Sequence, residues 1–440
     1  MKYTNNIYSQ LKIPNNEFGK IMRDISKSKE SNLVTFKDSM KKPIHSWFYY
    51  KQGFSADLVP YILERYGRNN EEVIYDPFCG VGTIPLSSKE LQISCIGIDI
   101  SPLCVFVSRA KTNGEYDIKE ICKNRNKLIK TKYHEPRIEY PDIEIVKKAI
   151  PERIKNKILF LKEEIEKIDE GNTRTFFRMA LLSIMQDVVL AKRDGAFLRI
   201  DEARKVEDPI DCFRSKTYKM IQDLKHQQTT FHDFYIERSL SNKETWIDIR
   251  EADAREVELD KESISKVITS PPYLNRYDYT RIYSPELGLY FIRDFDDLKR
   301  IRYSTLRSHV EAKYSYSTHV ESNILNIGLE KIQEKLDNGE INNSKIPEMI
   351  RGYFEDTYIY LERANKFLMP GGIIAIAVGN ARWSGVAIQT DLIICEISKQ
   401  LGLDPIEINV CKIRGTSAQQ AKKYGEEQVR EGIIVLKKNN

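Results

Sequence analysis

Two short stretches of this 440-residue chain carry side chains whose types and spacing suit chemistry on a ligand. The first is Thr269-Ser270-Pro271-Pro272-Tyr273. It follows the β-branched run Lys266-Val267-Ile268 and reads as the carboxyl end of a buried strand entering a loop. Successive prolines fix φ and remove two amide donors, so the carbonyls beside them have few local partners and can face a ligand. A hydroxyl sits before this rigid turn and an aromatic ring after it. That set suits a flat, polar ring bearing an amino group. The Ser270 hydroxyl and a proline carbonyl would take the amino hydrogens while Tyr273 stacks on the face. Taken alone, the same residues could also be a proline-stiffened turn with a surface tyrosine.

The second stretch is Asp76-Pro77-Phe78-Cys79-Gly80-Val81-Gly82-Thr83, between Val73-Ile74-Tyr75 and an expected helix at 84–90. This is a strand, a glycine turn and a helix start. Glycines let the backbone pass close to a ligand, and a helix amino end offers free amides. The spacing is not a full dinucleotide pattern, because Pro85 takes the place of the third glycine. A further apolar run (Ile93, Cys95, Ile96, Ile98) ends at Asp99, the position from which doubly wound sheets grip a ribose.

Together these residues resemble the amino-group DNA methyltransferases that use S-adenosylmethionine. The Asp-Pro-Phe-x-Gly-x-Gly-Thr stretch is similar to their cofactor loop. Ser-Pro-Pro-Tyr is similar to their catalytic loop in its N4-cytosine form, whereas the adenine enzymes more often carry Asp or Asn first. The resemblance covers 43–110, 246–290 and 350–440. It implies an α/β fold with a doubly wound, Rossmann-like class I methyltransferase sheet. It also implies roles. Asp76 would receive the cofactor's ammonium, Asp99 its ribose hydroxyls and Asp253 its adenine, with Pro77, Phe78, Gly80, Gly82 and Thr83 completing the loop. Ser270, Pro271, Pro272 and Tyr273 would form the catalytic set. In the family, a segment upstream of the glycine loop covers the methionine end of the cofactor. The aromatic stretch Pro43-Ile44-His45-Ser46-Trp47-Phe48-Tyr49-Tyr50-Lys51-Gln52-Gly53-Phe54-Ser55 resembles it in position, with Lys51 and Phe54 as contacts. The same aromatics could instead pack the following helix, expected at 56–66, onto the sheet, and both can hold. His45 is read as structural. Cys79 is read as a small packing residue, since the implied reaction needs no thiolate.

Composition bounds the class. Hydrophobic residues at 41% can build a sizeable core, and 30% charged residues suit a water-soluble chain. No apolar run approaches membrane-spanning length, and the first residues lack the apolar region of a signal peptide. Seven cysteines without a C-x-x-C pair argue for reduced thiols in a cytoplasm and against zinc. The formal net charge of +5 permits a polyanion without requiring one.

Six segments follow: an amino-terminal arm without assigned function at 1–42, the cofactor-loop part at 43–110, a largely helical insertion at 111–245, the catalytic-loop part at 246–290, a target-recognition insertion at 291–350, and the closing part of the sheet at 351–440. The 111–245 gap far exceeds one β-α-β crossover of about 30 residues, and its apolar spacing is helical at 154–168 and 176–191. Its Arg174, Arg178, Lys192, Arg193, Arg199 and Arg204, beside Phe176, Phe177 and Phe197, are either a solvated face or a clamp on a nucleic-acid backbone. After the catalytic loop, Asn275, Arg276, Tyr277, Asp278 and Arg281 are candidates for reading an extruded base. Lys299, Arg300, Arg302, Tyr303, Arg307 and His309 extend that basic, tyrosine-rich pattern, which is otherwise a basic surface loop. The closing part should hold a helix at 353–368, a Met369-Pro370-Gly371-Gly372 turn, a strand at 373–378 ending at Gly379-Asn380, a helix at 391–401 and a strand pair at 406–413 and 432–437.

The implied activity is direct methyl transfer to cytosine N4 in double-stranded DNA with the target base flipped, within a restriction-modification or related defence system that supplies a cognate restriction or defence subunit. Three alternatives stand: adenine N6 in DNA; guanosine N2 in tRNA, for which an amino-terminal RNA-binding module larger than 1–42 would be expected; and a non-catalytic DNA-binding subunit, which would show decay of one loop. The cofactor loop precedes the catalytic loop, the reverse of many N4-cytosine enzymes, and this leaves the target base more open than the reaction.

Overall fold

A computed structural model describes residues 17–51, 53–68, 72–112, 114–194, 197–238, 245–314, 318–414 and 429–439. Residues 1–16 of the arm, Gln52 and the side chain of Phe197 lie outside the described residues. In chain order the strands are β1 (Met22–Asp24), β2 (Val73–Asp76), β3 (Ser94–Asp99), β4 (Ala191–Asp194), β5 (Phe197–Ile200), β6 (Ile247–Glu251), β7 (Ile264–Thr269), β8 (Leu368–Gly379), β9 (Ala381–Trp383), β10 (Val386–Ile388), β11 (Leu403–Arg414) and β12 (Val429–Lys438).

Eight of them form one sheet in the order β1-β11-β12-β8-β7-β2-β3-β6. The strands from β8 to β6 are parallel, and β12 runs antiparallel to both β8 and β11. Every residue of β7 is buried, the mark of a strand covered on both faces. Neighbouring residues go to opposite faces with the period of the pleat. Ile74, Cys95, Ile268 and Ala375 join a core under the helix Leu58–Tyr66, while Tyr75, Ile96, Val267 and Ile374 join one under the helices Ile346–Phe367 and Thr390–Gln400. The fold is therefore a doubly wound, Rossmann-like α/β sheet closed by an antiparallel strand pair. No helix among the described residues is long and apolar enough to cross a membrane.

Several expectations shift in detail. The described part of the arm forms short 3-10 turns and adds β1 to the sheet edge, parallel to β11. The insertion contains helices at Ile118–Lys130, Glu152–Glu166, Asn172–Val188 and Pro209–Arg238, and also the hairpin β4–β5, which takes Ala191 out of the expected 176–191 helix. The helix expected from 353 begins at Ile346, with Pro347 in its first turn where no amide partner is lost. The Met369–Gly372 turn is a bulge inside β8: register passes from Ile264↔Leu368 to Lys266↔Ile373, and Gly371 has φ 71°.

The insertion shares one apolar core with the aromatic stretch before the glycine loop. Trp47 donates to Asp223 Oδ2 at 3.0 Å and meets Phe176 edge-on at 5.9 Å. The aromatic stretch thus packs on the insertion more than on the sheet. His45 is 1% exposed, lies 3.2 Å from Glu90 and has its pKa lowered by burial, as befits a structural histidine.

Candidate functional site

The strands β2, β3 and β7 end side by side, and their loops line an open cleft with an empty volume of about 1060 Å³. Asp76 ends β2 fully buried, behind the wall of this cleft. Its Oδ1 accepts from Thr269 Oγ1 at 2.7 Å and from the Phe78 amide at 3.1 Å. Its Oδ2 is buried without a hydrogen-bond partner among the described residues. Burial raises this carboxyl to about 7, against the lowering effect of Thr269 and the amide.

Pro77, Phe78, Gly80 and Thr83 line the cleft directly. The glycines are required by geometry. Gly82 has φ 80°, and a Cβ there would lie 2.6 Å from Ser108 Oγ and 3.0 Å from Ser108 Cα. The Gly80 amide donates to Asp99 Oδ2 at 3.0 Å, and the Ser101 amide donates to Oδ1 at 2.8 Å. Asp99 faces the cleft with its pKa raised to about 6 by burial, partly offset by these amides. Asp253, beyond β6, also lines the cleft and holds Arg255 through Nε at 2.9 Å and the terminal nitrogen at 2.6 Å.

Phe54 lines the cleft, whereas Lys51 does not. Lys51 belongs to a second cavity with Tyr273, and its ammonium donates to the Arg193 carbonyl. The expected pairing of Lys51 with Phe54 at one ligand end is therefore corrected: the two side chains line different cavities.

In the catalytic loop, Ser270 and Pro272 line the cleft and Pro271 is buried behind them. The Pro272 carbonyl accepts from Tyr353 OH at 3.0 Å. Among the described residues nothing donates to the Pro271 carbonyl. The Tyr273 ring lies against the backbone at the end of β8, where a Cβ on Gly379 would come within 3.1 Å of two ring carbons.

The residues expected to read a target divide sharply. Asp278 caps the helix Tyr279–Ile282 and pairs with Arg302 at 2.8 Å, both side chains largely buried. Arg307 is fastened to Asp356 at 2.8 Å and to Glu355 at 2.9 Å. Tyr277 is 2% exposed, with its ring 5.0 Å from that of Tyr279. None of these four lines the cleft, and the three charged ones are largely buried in ion pairs, as buried charge requires. Arg276 has φ 63°, donates its amide to Ser308 and places its guanidinium 5.9 Å over the Trp383 ring. Asn275 and Arg281 are exposed, and exposed Arg300 pairs with Asp297. His309 lines the cleft, and burial lowers its pKa. In the insertion, Arg178 pairs with Glu166, Lys192 with Asp201 and Arg193 with Glu286, Arg174 donates to the Ile168 carbonyl, and Arg204 caps the Ala191 and Gln186 carbonyls. Of the two readings of these cations, a solvated face or a clamp, the clamp loses support because five of the six side chains are engaged within the chain; Arg199 is exposed.

Sequence reading missed an aromatic wall. Tyr50 lies between Tyr283, 5.0 Å away at 18°, and Tyr279, 5.7 Å away at 16°, and all three line the cleft. It also missed Arg255, 1% exposed and bonded to Asp253, Asp356 and the Ser304 carbonyl. The tyrosine density of 277–283 was a visible signal. The Arg255 network, drawn from three separate segments, left none.

No family model matches the chain. Among curated proteins, the Type II methyltransferase M.BsoBI of Geobacillus stearothermophilus is 30% identical over 451 residues, covering 92% of this chain and 88% of that protein. The Type II methyltransferase M.AvaI of Nostoc sp. (strain PCC 7120) is 26% identical over 440 residues, covering 94% and 90%. Among solved structures, the 4+2 cyclase SpnF covers 89% of this chain and 85% of that chain at 10% identity, with a TM-score of 0.29.

Proposed function

This chain belongs to the Type II methyltransferases, and on that footing we propose that it methylates the N4 amino group of cytosine in double-stranded DNA, using S-adenosylmethionine, within a restriction-modification system. The observation that carries the reading is a serine-led Pro-Pro-Tyr loop on the same cleft as the glycine loop and Asp99. Work on cellular DNA makes the cytoplasm its place of action, and a cognate restriction nuclease its functional partner.

The residues present fit the cofactor. Asp76 offers a buried carboxylate oxygen with no partner among the described residues, suited to an ammonium. Asp99 offers a carboxylate at the strand end, suited to ribose hydroxyls, and Gly80 and Gly82 keep the backbone low. Asp253, which also lines the cleft, is our candidate for contact with the adenine. When bound, S-adenosylmethionine supplies a methyl carbon made electrophilic by its sulfonium, which a nitrogen lone pair takes while the carbon–sulfur electrons return to sulfur.

The chain's own task is to ready the amine. The lone pair of cytosine N4 is conjugated with its ring and poorly available. The Ser270 hydroxyl and Pro271 carbonyl accept the two amino hydrogens, which localises that lone pair, and Tyr273 stacks on the ring. One amino proton then leaves to solvent. Orientation alone supplies several kcal/mol of such catalysis. The base must first leave the stack, at a cost on the order of a few kcal/mol. Cys79 and Cys104 line the cleft, but burial pushes both thiols well up, so neither acts as a thiolate.

The test is incubation with tritiated S-adenosylmethionine and bulk DNA or tRNA, followed by nucleoside chromatography. The expected label is N4-methylcytosine. Label in N6-methyladenine would keep the mechanism and change the base, and label only in tRNA would overturn the DNA substrate. Ser270→Ala and Tyr273→Ala should lose turnover while keeping cofactor affinity; normal rates in both would refute this site.

A further inference from the structure

We propose that a second cavity, on the other side of the catalytic loop, receives the extruded base, and that the segment 34–51 with Glu431 forms its walls. This rests on reading Ser-Pro-Pro-Tyr as the methyl-transfer loop. The cavity has an empty volume of about 770 Å³ and is lined by Phe36, Lys37, Tyr49, Lys51, Tyr273 and Glu431 among others.

The sheet order places it. The main cleft lies over the ends of β2, β3, β6 and β7. The next strands along are β8 and β12, and there the second cavity opens. Its Tyr273 rests on Gly379 at the end of β8, and its Glu431 belongs to β12, paired in register with Gly379. The loop after β7 stands between the two spaces. Ser270 and Pro272 face the main cleft, Tyr273 faces the second cavity, and Gly53 borders both. A donor on one side and an acceptor ring on the other would meet at Ser270.

The lining suits a nucleobase. Tyr273, Tyr49 and Phe36 offer aromatic faces, the last two 6.2 Å apart at 64°. Stacking on such rings is the general way proteins hold an unstacked base. Lys51 and Lys37 bring donors suited to ring nitrogens and carbonyls, or to a flanking phosphate. Glu431, 3% exposed, brings an acceptor for amino hydrogens. Apart from Tyr273, none of these groups belongs to either sequence motif. Residues 34–42, which have no role in the sequence reading, and 43–51, read there as a cover for the cofactor, become a segment that selects the base.

The test uses the full chain with bulk DNA and labelled S-adenosylmethionine. Tyr49→Ala, at a half-exposed site that tolerates truncation, and Glu431→Gln should each lower kcat/KM for DNA on the order of tenfold or more, the weight of one base–aromatic stack. Affinity for S-adenosylhomocysteine by calorimetry should not change. If the unaltered protein methylates DNA and both variants stay within about twofold of it, the pocket assignment fails and the methyltransferase reading survives. If both variants lose S-adenosylhomocysteine as well, the cavity belongs to the cofactor and the proposal is overturned. If the unaltered protein labels no DNA, the underlying reading fails, and the pocket with it.

Discussion

Thr269, the last residue of β7, donates its hydroxyl to Asp76, the last residue of β2, at 2.7 Å, and both side chains are fully buried. One hydrogen bond thus ties the strand that delivers the catalytic loop to the strand that delivers the glycine loop. Thr269→Val keeps the shape and removes the donor, leaving Asp76 Oδ1 with the Phe78 amide alone. The expected cost is about 1–3 kcal/mol of stability, read as a lower urea midpoint, together with weaker S-adenosylhomocysteine binding. Thr269→Ser should restore most of both. An unchanged midpoint in Thr269→Val would mean that this bond does not hold the two strands together.

The raised pKa of Asp76 predicts a pH dependence. Without ligand, burial holds the carboxyl near 7, above its ordinary 3.8, so it is largely protonated in mild acid. A ligand ammonium favours the carboxylate, so binding releases a proton. Affinity for S-adenosylhomocysteine should rise with pH up to about 7 and level off above, at no more than about one log unit per pH unit. For folding of the free chain the sign is opposite. The contribution of Asp76 is fully present below 3.8 and is lost as pH rises through about 7. Asp76→Asn should bind more weakly with a flat profile. A flat profile in the unaltered protein would mean that Asp76 does not meet the ammonium.

Arginines of the wall and arginines of the surface should behave differently. Arg307→Ala strips a buried partner from Asp356, and Arg302→Ala does the same to Asp278. Breaking such pairs costs about 3–5 kcal/mol, and Arg307 should fall at the low end because Arg255 also holds Asp356. Neither should change the slope of log affinity against log salt. Arg281→Ala and Arg300→Ala should leave stability alone and reduce that slope by about one unit for each phosphate no longer neutralised. A stable Arg307→Ala with a shallower slope would restore its reading as a DNA-binding residue.

Arg193 should act on the cleft from the insertion. Its guanidinium lies 4.2 Å over the Tyr283 ring and pairs with Glu286, which is 1% exposed, and its carbonyl holds Lys51. Tyr283 in turn stacks on Tyr50 in the cleft wall. Arg193→Ala should loosen that wall and weaken S-adenosylhomocysteine binding by about tenfold, or about 1.4 kcal/mol, with Arg193→Lys recovering part. Equal affinity in all three proteins would confine Arg193 to holding the insertion in place.

Sequence alone determined what is local. Strand ends at Asp76, Asp99 and Thr269 follow from short β-branched runs that stop at glycine or proline, and the geometry of each turn is dictated by the residues within it. The closing strand pair and the helices around it were legible for the same reason, since apolar period reports which face meets a core. Tertiary structure decided what each charge does. Arg302, Arg307 and Asp278 look in sequence like a reading surface, and Arg178 and Arg193 like a clamp. Arg307 finds Asp356 and Arg193 finds Glu286 in other segments, while Arg302 pairs with Asp278 and Arg178 with Glu166 through the packing of neighbouring helices, and a buried ion pair depends on geometry that no spacing rule encodes. The sides taken by Lys51 and Tyr273, and the meeting of residues 34–51 with β8 and β12 around a second cavity, were likewise settled only by the order in which the strands lie side by side.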